Sequence, residues 1–317
     1  MEHEAQDTTA GLRMGAQTLL NSEQDDEMAL TNRVAGALAS MNVAFLGLGS
    51  AASAQPIGDL EIVGRPVPGG INFQPAATEL ARDIHWLDNF LLVIITIITL
   101  FVTGLLIWCA IKFNSKVNKT ASRFTHNTPI EITWTVVPIV ILVFIGAFSL
   151  PILFKQQEIP AADVTIKATG YQWYWGYEYP QHELSFEAFM LQRDELEEFG
   201  YAQSDYLLAT DMAMVVPVNK TIVVQVTGAD VIHSWTIPAF GVKQDGIPGR
   251  LAELWFKADR QGVYFGQCSE LCGKDHAYMP IVVKVVSEEA YEAWLAETIE
   301  VFGGIAPAQS NIQLAAN

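Results

Sequence analysis

Between Phe265 and Pro280 the chain reads F-G-Q-C-S-E-L-C-G-K-D-H-A-Y-M-P. Cys268 and Cys272 stand four residues apart, His276 four further on and Met279 three beyond that. Two thiolates, an imidazole and a thioether are soft or borderline donors, and together they favour copper over magnesium, calcium or manganese. A second imidazole, His233 in D-V-I-H-S-W, stands 35 residues upstream of Cys268. One cysteine, two histidines and a weak methionine would describe a mononuclear copper site. The second cysteine changes that count, because two thiolates between two histidines can bridge a pair of copper ions, with Met279 and a backbone carbonyl in the remaining positions. Other chemistry is open to the same residues: Cys268 and Cys272 could close a disulfide in a bent loop. Zinc accepts two cysteines and two histidines, although structural zinc seldom places a methionine at the end of the run. All five residues at this spacing point to copper. A site whose positions are all filled by protein donors leaves no place for a substrate, so it carries electrons rather than rearranging bonds.

The elements that must position these residues fall into two classes. Residues 89–111 and 132–154 are each free of charge over 23 positions. A hydrocarbon core about 30 Å thick needs roughly 20 helical residues, so both stretches are expected to span a membrane. The loop between them, 112–131, holds Lys112, Lys116, Lys119 and Arg123 against one acid, Glu131, and the positive-inside rule makes that loop cytoplasmic. Everything after Lys155 then faces outward, as does the segment 55–88. Met28 to Ala54 carries one positive charge, an apolar stretch of small residues and an A-x-A exit, the pattern of a secretory signal peptide. Residues 1–27 ahead of it show no periodicity and read as unstructured sequence upstream of the true start.

Beyond Lys155 the apolar residues alternate in short runs at 164–169, 221–227, 251–256 and 281–286, separated by Gly, Pro and Asp turns, which predicts an all-β sandwich or barrel. Between them, 184–211 is an acidic insertion with a predicted helix at 191–199. Ser287 caps a last helix through about Phe302, and the tail 303–317 reads as disordered. Gly170 to Pro180 contains six aromatics in eleven positions. Strand alternation would place Tyr171, Trp173 and Trp175 on one face and Tyr174 on the other. Cys109 lies in the first apolar block as a small packing residue. The chain carries 35 acidic against 18 basic residues, a formal charge of −17. That balance repels nucleic acid and attracts basic partners, and no basic patch or nucleic-acid motif is present.

The run C-S-E-L-C-G-K-D-H-A-Y-M-P, with D-V-I-H-S-W upstream, resembles the dinuclear CuA site of the cytochrome c oxidase subunit 2 family. The likeness extends from about Asp59 to Val301: two membrane helices, an aromatic run and a copper domain in the family's order. It implies a membrane-anchored protein in which a two-helix transmembrane hairpin precedes an all-β, cupredoxin-like Greek-key barrel at 155–302, with copper ligands in loops at one end. It implies bridging thiolates from Cys268 and Cys272, terminal imidazoles from His233 and His276, a weak axial thioether from Met279 and a backbone carbonyl from Glu270. The Glu270 side chain would reach a magnesium ion shared with subunit 1. The first tryptophan of the W-Y-W run, Trp173, would receive electrons from cytochrome c, with Glu178 and Asp230 as candidates for docking its lysines. Glu131 would stand at the entrance of a proton-uptake path, where its bland alternative is a helix-start acid favoured by the dipole. The family commonly has histidine where this chain has Tyr171.

The activity implied is that of the electron-transfer subunit of cytochrome c oxidase. It would take electrons from cytochrome c at the copper centre and pass them to haem in subunit 1, with subunit 3 as a further partner. The chain would sit in a bacterial inner membrane, surrounded by lipid, with its C-terminal domain in the periplasm. A membrane-anchored copper-binding or assembly protein is the alternative, since such factors also use C-x-x-x-C with a distant histidine. They are expected to alternate strands with helices and need neither Met279 nor a two-helix anchor. A quinol-oxidase subunit of the same shape would lack the copper ligands, and a soluble CuA domain of another reductase would lack the two spans.

Overall fold

The computed structural model describes residues 60–120 and 122–305. The expected signal peptide at 28–54 and the segment 1–27 lie outside the described residues, as does 306–317. Two long helices, α1 (Glu79–Lys112) and α2 (Thr128–Gln157), are each apolar enough to cross a membrane. Both run beyond the uncharged stretches that predict them, so the outward segment 55–88 becomes helical from Glu79. The reason is local. Thr78 accepts the Ala81 N–H on its hydroxyl (3.0 Å) and donates that hydroxyl to the Phe240 carbonyl (2.7 Å), which fixes the start of α1 by capping rather than by hydropathy. At the other helix, Asn127 accepts the Ile130 N–H while Glu131 accepts the Asn127 N–H, so the cap and the first turn hold each other. Among the described side chains α2 buries none, and its apolar surface faces outward on all sides, as a lipid-solvated helix should. The hairpin meets itself near its outer end through Trp86, Phe90, Phe144 and Phe148.

Eleven strands are formed among the described residues: β1 (Ile62–Gly64), β2 (Val164–Tyr171), β3 (Tyr174–Tyr179), β4 (Leu184–Ala188), β5 (Met214–Pro217), β6 (Ile222–Gly228), β7 (His233–Ile237), β8 (Val242–Gly246), β9 (Ala252–Phe256), β10 (Gly262–Gln267) and β11 (Pro280–Val286). They make a four-stranded sheet β1-β10-β11-β5, a five-stranded sheet β4-β3-β2-β6-β9 and a ribbon β7-β8. One apolar core fills the space between them, with Trp175, Trp235, Tyr177, Tyr179 and Phe256 fully buried. Helix α3 (Glu288–Phe302), capped by the Ser287 hydroxyl on the Ala290 N–H, closes one side as expected.

The expectations for the aromatic run and the helix at 191–199 are corrected. The aromatic run is not one strand: the chain reverses at Gln172–Trp173, so Tyr171 on β2 faces Tyr174 on β3 and their rings stack at 4.7 Å. Trp175, Tyr177 and Tyr179 then form the inward face of β3, and Trp173 sits in the turn. The predicted helix at 191–199 is instead a series of turns. Its hydrogen bonds switch between three- and four-residue spacing, as in Glu195 N–H to Gln192 carbonyl and Phe199 N–H to Glu195 carbonyl. Asp194, Glu195, Glu197 and Glu198 are exposed and crowd like charges, while Leu196 turns inward and is fully buried, so helical continuation gains little. Of the tail expected to be disordered, Ile305 donates its N–H to the His182 carbonyl, and 306–317 lie outside the described residues.

The hairpin and the β-domain are joined by a small set of contacts. Arg82 reaches Asp259 at 2.6 Å, Thr78 donates to the Phe240 carbonyl, and the Trp255 indole donates to the Lys155 carbonyl at 3.2 Å. Within the hairpin, the Lys155 ammonium ties α2 to Glu79 and Asp83 of α1 at 2.6 and 2.7 Å.

Candidate metal centre

The five donor side chains come from two loops that the sheets bring to one end of the domain. His233 opens β7 and is fully buried. Its ring fits only because Gly170, at the end of β2, has no side chain: a Cβ there would lie 2.6 Å from the imidazole Cγ. The His233 Nε2 stands 2.9 Å from the Asp230 Oδ1. A proton on Nε2, donated to that carboxylate, leaves the Nδ1 lone pair turned to the Cys268 Sγ, 3.8 Å away. Cys268 follows β10 directly, and its thiol faces the Glu270 carbonyl at 3.3 Å. Cys272 lies 3.9 Å from Cys268, sulfur to sulfur, and both are free thiols. The His276 Nδ1 and the Met279 Sδ are each 3.4 Å from the Cys272 sulfur.

These spacings bear directly on whether a metal fits. Donors bonded to one ion at about 2.0–2.3 Å cannot stand more than about 4.6 Å apart, and every neighbouring pair here meets that limit. His233, Cys268 and Cys272 form a compact, fully buried cluster by themselves. His276 and Met279 join it through Cys272. The Met279 sulfur and the Glu270 carbonyl supply donors beyond the four that tetrahedral zinc uses, and the soft sulfur set suits copper.

The two thiols differ electrostatically. Burial pushes Cys268 up, but hydrogen bonds with His233 and with the backbone of Ser234 and Glu270 outweigh it and hold the thiol below its ordinary value. Cys272 is pushed up, first by burial and then by the neighbouring Cys268 charge. Metal binding at this pair must therefore release a proton. Burial also pushes Asp230 up, yet its bonds to His233 and to the Val231 and Gln172 N–H groups bring it below the usual carboxylate value.

The structure brings His233, Cys268, Cys272, His276, Met279 and the Glu270 carbonyl together. The Glu270 side chain is exposed beside them. Trp173 is half-buried against the metal loop, with its Nε1 buried and unpartnered and the Lys274 ammonium 5.5 Å above its ring. Glu178 is ion-paired with Lys167 at 2.7 Å, opposite it on β2. Asp230 spends both oxygens on its own chain. Glu131 stands apart, in the first turn of the second membrane helix.

Three supporting residues were not singled out from sequence. Trp175 lies edge-on to the His233 ring, 6.0 Å between centroids, and donates its indole N–H to the Met279 carbonyl. Gly170 makes room for the imidazole. Gln172 donates its side-chain amide to the Cys272 carbonyl at 2.7 Å. Only Gly170, a glycine ahead of an aromatic run, left a visible signal.

Known proteins resemble this chain over both the hairpin and the β-domain. Residues 66–152 match the family described as cytochrome c oxidase subunit II, transmembrane domain, and residues 164–286 match its periplasmic domain. Cytochrome c oxidase subunit 2 of Cereibacter sphaeroides is 64% identical over 262 residues, covering 78% of this chain and 86% of that protein. The probable cytochrome c oxidase subunit 2 of Rickettsia bellii is 44% identical over 253 residues, 80% of this chain and 91% of the relative. Among solved structures, the periplasmic domain of subunit II of the cytochrome oxidase of Bradyrhizobium japonicum aligns at a TM-score of 0.41 with 53% identity. That alignment covers 45% of this chain and 99% of the other.

Proposed function

Because the chain belongs to the cytochrome c oxidase subunit II family, we infer that its buried sulfur-imidazole cluster is the CuA centre of an electron-transfer subunit in a haem-copper oxidase. A pair of copper ions bound there supplies a one-electron carrier between a c-type cytochrome outside and the haem of subunit 1. The observation that carries this reading is the convergence of both Nδ1 atoms and three sulfurs on one buried point, with His233 oriented by Asp230.

Each residue then has a part. Cys268, Cys272, His233, His276, Met279 and the Glu270 carbonyl are the residues that would hold the copper pair. The burial of Cys268, Cys272 and Met279 excludes water. The strands β7 and β10 and the Asp230 and Gln172 hydrogen bonds fix the donors in place, which would limit how far they move on reduction. Trp173, at the surface edge of the loop, is the receiving indole. Glu178 and Asp230 add negative potential for a lysine-rich donor face, although each already has a partner within the chain, so their effect falls on association rate and its salt dependence. The exposed Glu270 carboxylate would be the ligand for a magnesium ion shared with subunit 1. Glu131 takes protons at the inner end of α2, subunit 3 is a further partner, and the membrane is the bacterial plasma membrane.

Cys272→Ser tests the centre. The variant should lose the mixed-valence spectrum and keep at most one copper, read by electron paramagnetic resonance. Retained coupling to two copper nuclei contradicts the assignment. Glu131→Ala should slow proton uptake and turnover in the assembled oxidase, and unchanged uptake leaves Glu131 a capping residue only.

A further inference from the structure

Gln172 precedes the proposed receiving indole, and its two polar ends are tied to opposite sides of the metal centre. Its backbone N–H donates to the Asp230 Oδ2 at 2.8 Å, and the other oxygen of that carboxylate holds His233. Its side-chain amide donates to the Cys272 carbonyl at 2.7 Å. The turn that carries Trp173 is thereby fastened to the histidine-bearing strand and to the cysteine-bearing loop at once.

Gly273 makes this closure sterically possible. Its φ of +128° lies where side chains are disfavoured. A Cβ there would stand 3.0 Å from the Trp173 Cζ2 and 3.1 Å from the Gln172 Nε2. The indole and the amide thus share one slot against the loop backbone. Within it, the Trp173 Nε1 is buried with no acceptor, so no hydrogen bond of its own fixes the ring. The position of Trp173 therefore depends on its neighbour.

We propose that Gln172 is a positioning residue for electron uptake, its carboxamide pinning the Trp173 turn to the Cys272 carbonyl so that the indole keeps van der Waals contact with the metal loop. The inference rests on the reading of Trp173 as the receiving residue. Electron transfer between unbonded groups weakens with separation, and it depends on how the donor and acceptor are held and oriented, as any reaction between positioned groups does. A loosened turn therefore costs rate without disturbing the donor set.

The test uses the assembled oxidase with Gln172→Leu, which removes the donor at similar size. It also uses Gln172→Glu, which removes the donor and adds negative charge. Reduction of the copper centre is followed by rapid mixing with a reduced soluble c-type cytochrome and, separately, with hexaammineruthenium(II). Both variants should slow reduction by the cytochrome several-fold. The salt dependence of association in Gln172→Leu, reduction by the small complex and the copper spectrum should stay unchanged. Unchanged cytochrome kinetics in Gln172→Leu overturn the proposal. So does faster association with a steeper salt slope in Gln172→Glu, which would mark a docking position. An altered copper spectrum in Gln172→Leu also overturns it, since the amide would then be supporting the ligands. Trp173→Phe, measured alongside, separates the two layers. Normal kinetics there sink the reading of Trp173 itself, whereas slow kinetics there with normal Gln172→Leu sink only the role given to Gln172.

Discussion

At the metal end of the β-domain, polar atoms find one another across long stretches of sequence. Asp230 serves His233 and Gln172, Gln172 serves Cys272, and Trp175 serves Met279. The helical hairpin is the opposite case. Its backbone satisfies itself, α2 buries no side chain, and α1 buries only Leu80 and Ala81, both at its outer end. The first region specifies a geometry by itself. The second specifies a depth and an orientation and leaves its sides to lipid and partner helices. Function follows the same division, because a redox centre needs fixed donors while an anchor needs only length and polarity.

Three perturbations sharpen or break that contrast. The largest effect is expected at Asp230→Ala, which frees the His233 ring and the Gln172 N–H together. Loss of a carboxylate that orients a ligating histidine commonly costs about 10–100-fold in metal affinity. Competition with a chelator should show this, with a changed copper spectrum. If affinity is intact and only the salt dependence of cytochrome association changes, Asp230 is a docking acid and the brace is incidental.

A smaller effect is expected from alkali. Burial raises Tyr201, Tyr264 and Tyr291 from an ordinary 10.0 to about 12. The folded protein holds these phenols neutral where the unfolded chain would ionise them. Their contribution to stability is present below pH 10 and is lost as pH rises from 10 through about 12. The hairpin helices contain no tyrosine. Thermal unfolding followed by far-UV circular dichroism should therefore show the β-sheet signal melting earlier across that window while helical content persists. Simultaneous loss of both would show that the two regions are not independent.

The smallest effect is expected at Lys155→Met. Its carboxylate partners are partly exposed, Glu79 at 73% and Asp83 at 33%, and such pairs contribute at most about 1 kcal/mol. The melting temperature should move little and the copper spectrum not at all. A changed spectrum would mean that a contact between the two hairpin helices reaches the metal.

The same contrast explains what could be read in advance. Uniform apolarity announces a membrane helix residue by residue, so both spans were legible. Their ends were not, because Thr78 and Asn127 set them by capping outside the apolar window. Strands β2, β6, β9 and β11 were legible from alternation. The reversal at Gln172–Trp173 was hidden because aromatic residues continue through it without a Gly or Asn signal. The donor residues were legible because metal chemistry restricts residue types. Their supports were not: Gln172 meets Asp230 across 58 residues and Cys272 across 100. Those distances close only when β2 pairs in parallel with β6 and brings Gly170 beside Gly228. No local pattern encodes that pairing.

The central claim is the number of metal ions held by the cysteine pair. The full-length chain, solubilised in detergent and loaded with copper under reducing conditions, can be analysed for bound metal and by electron paramagnetic resonance. Two coppers per chain, with hyperfine structure from a single electron shared equally by both nuclei, is the predicted result. One copper with a mononuclear spectrum, or a preference for zinc, contradicts it.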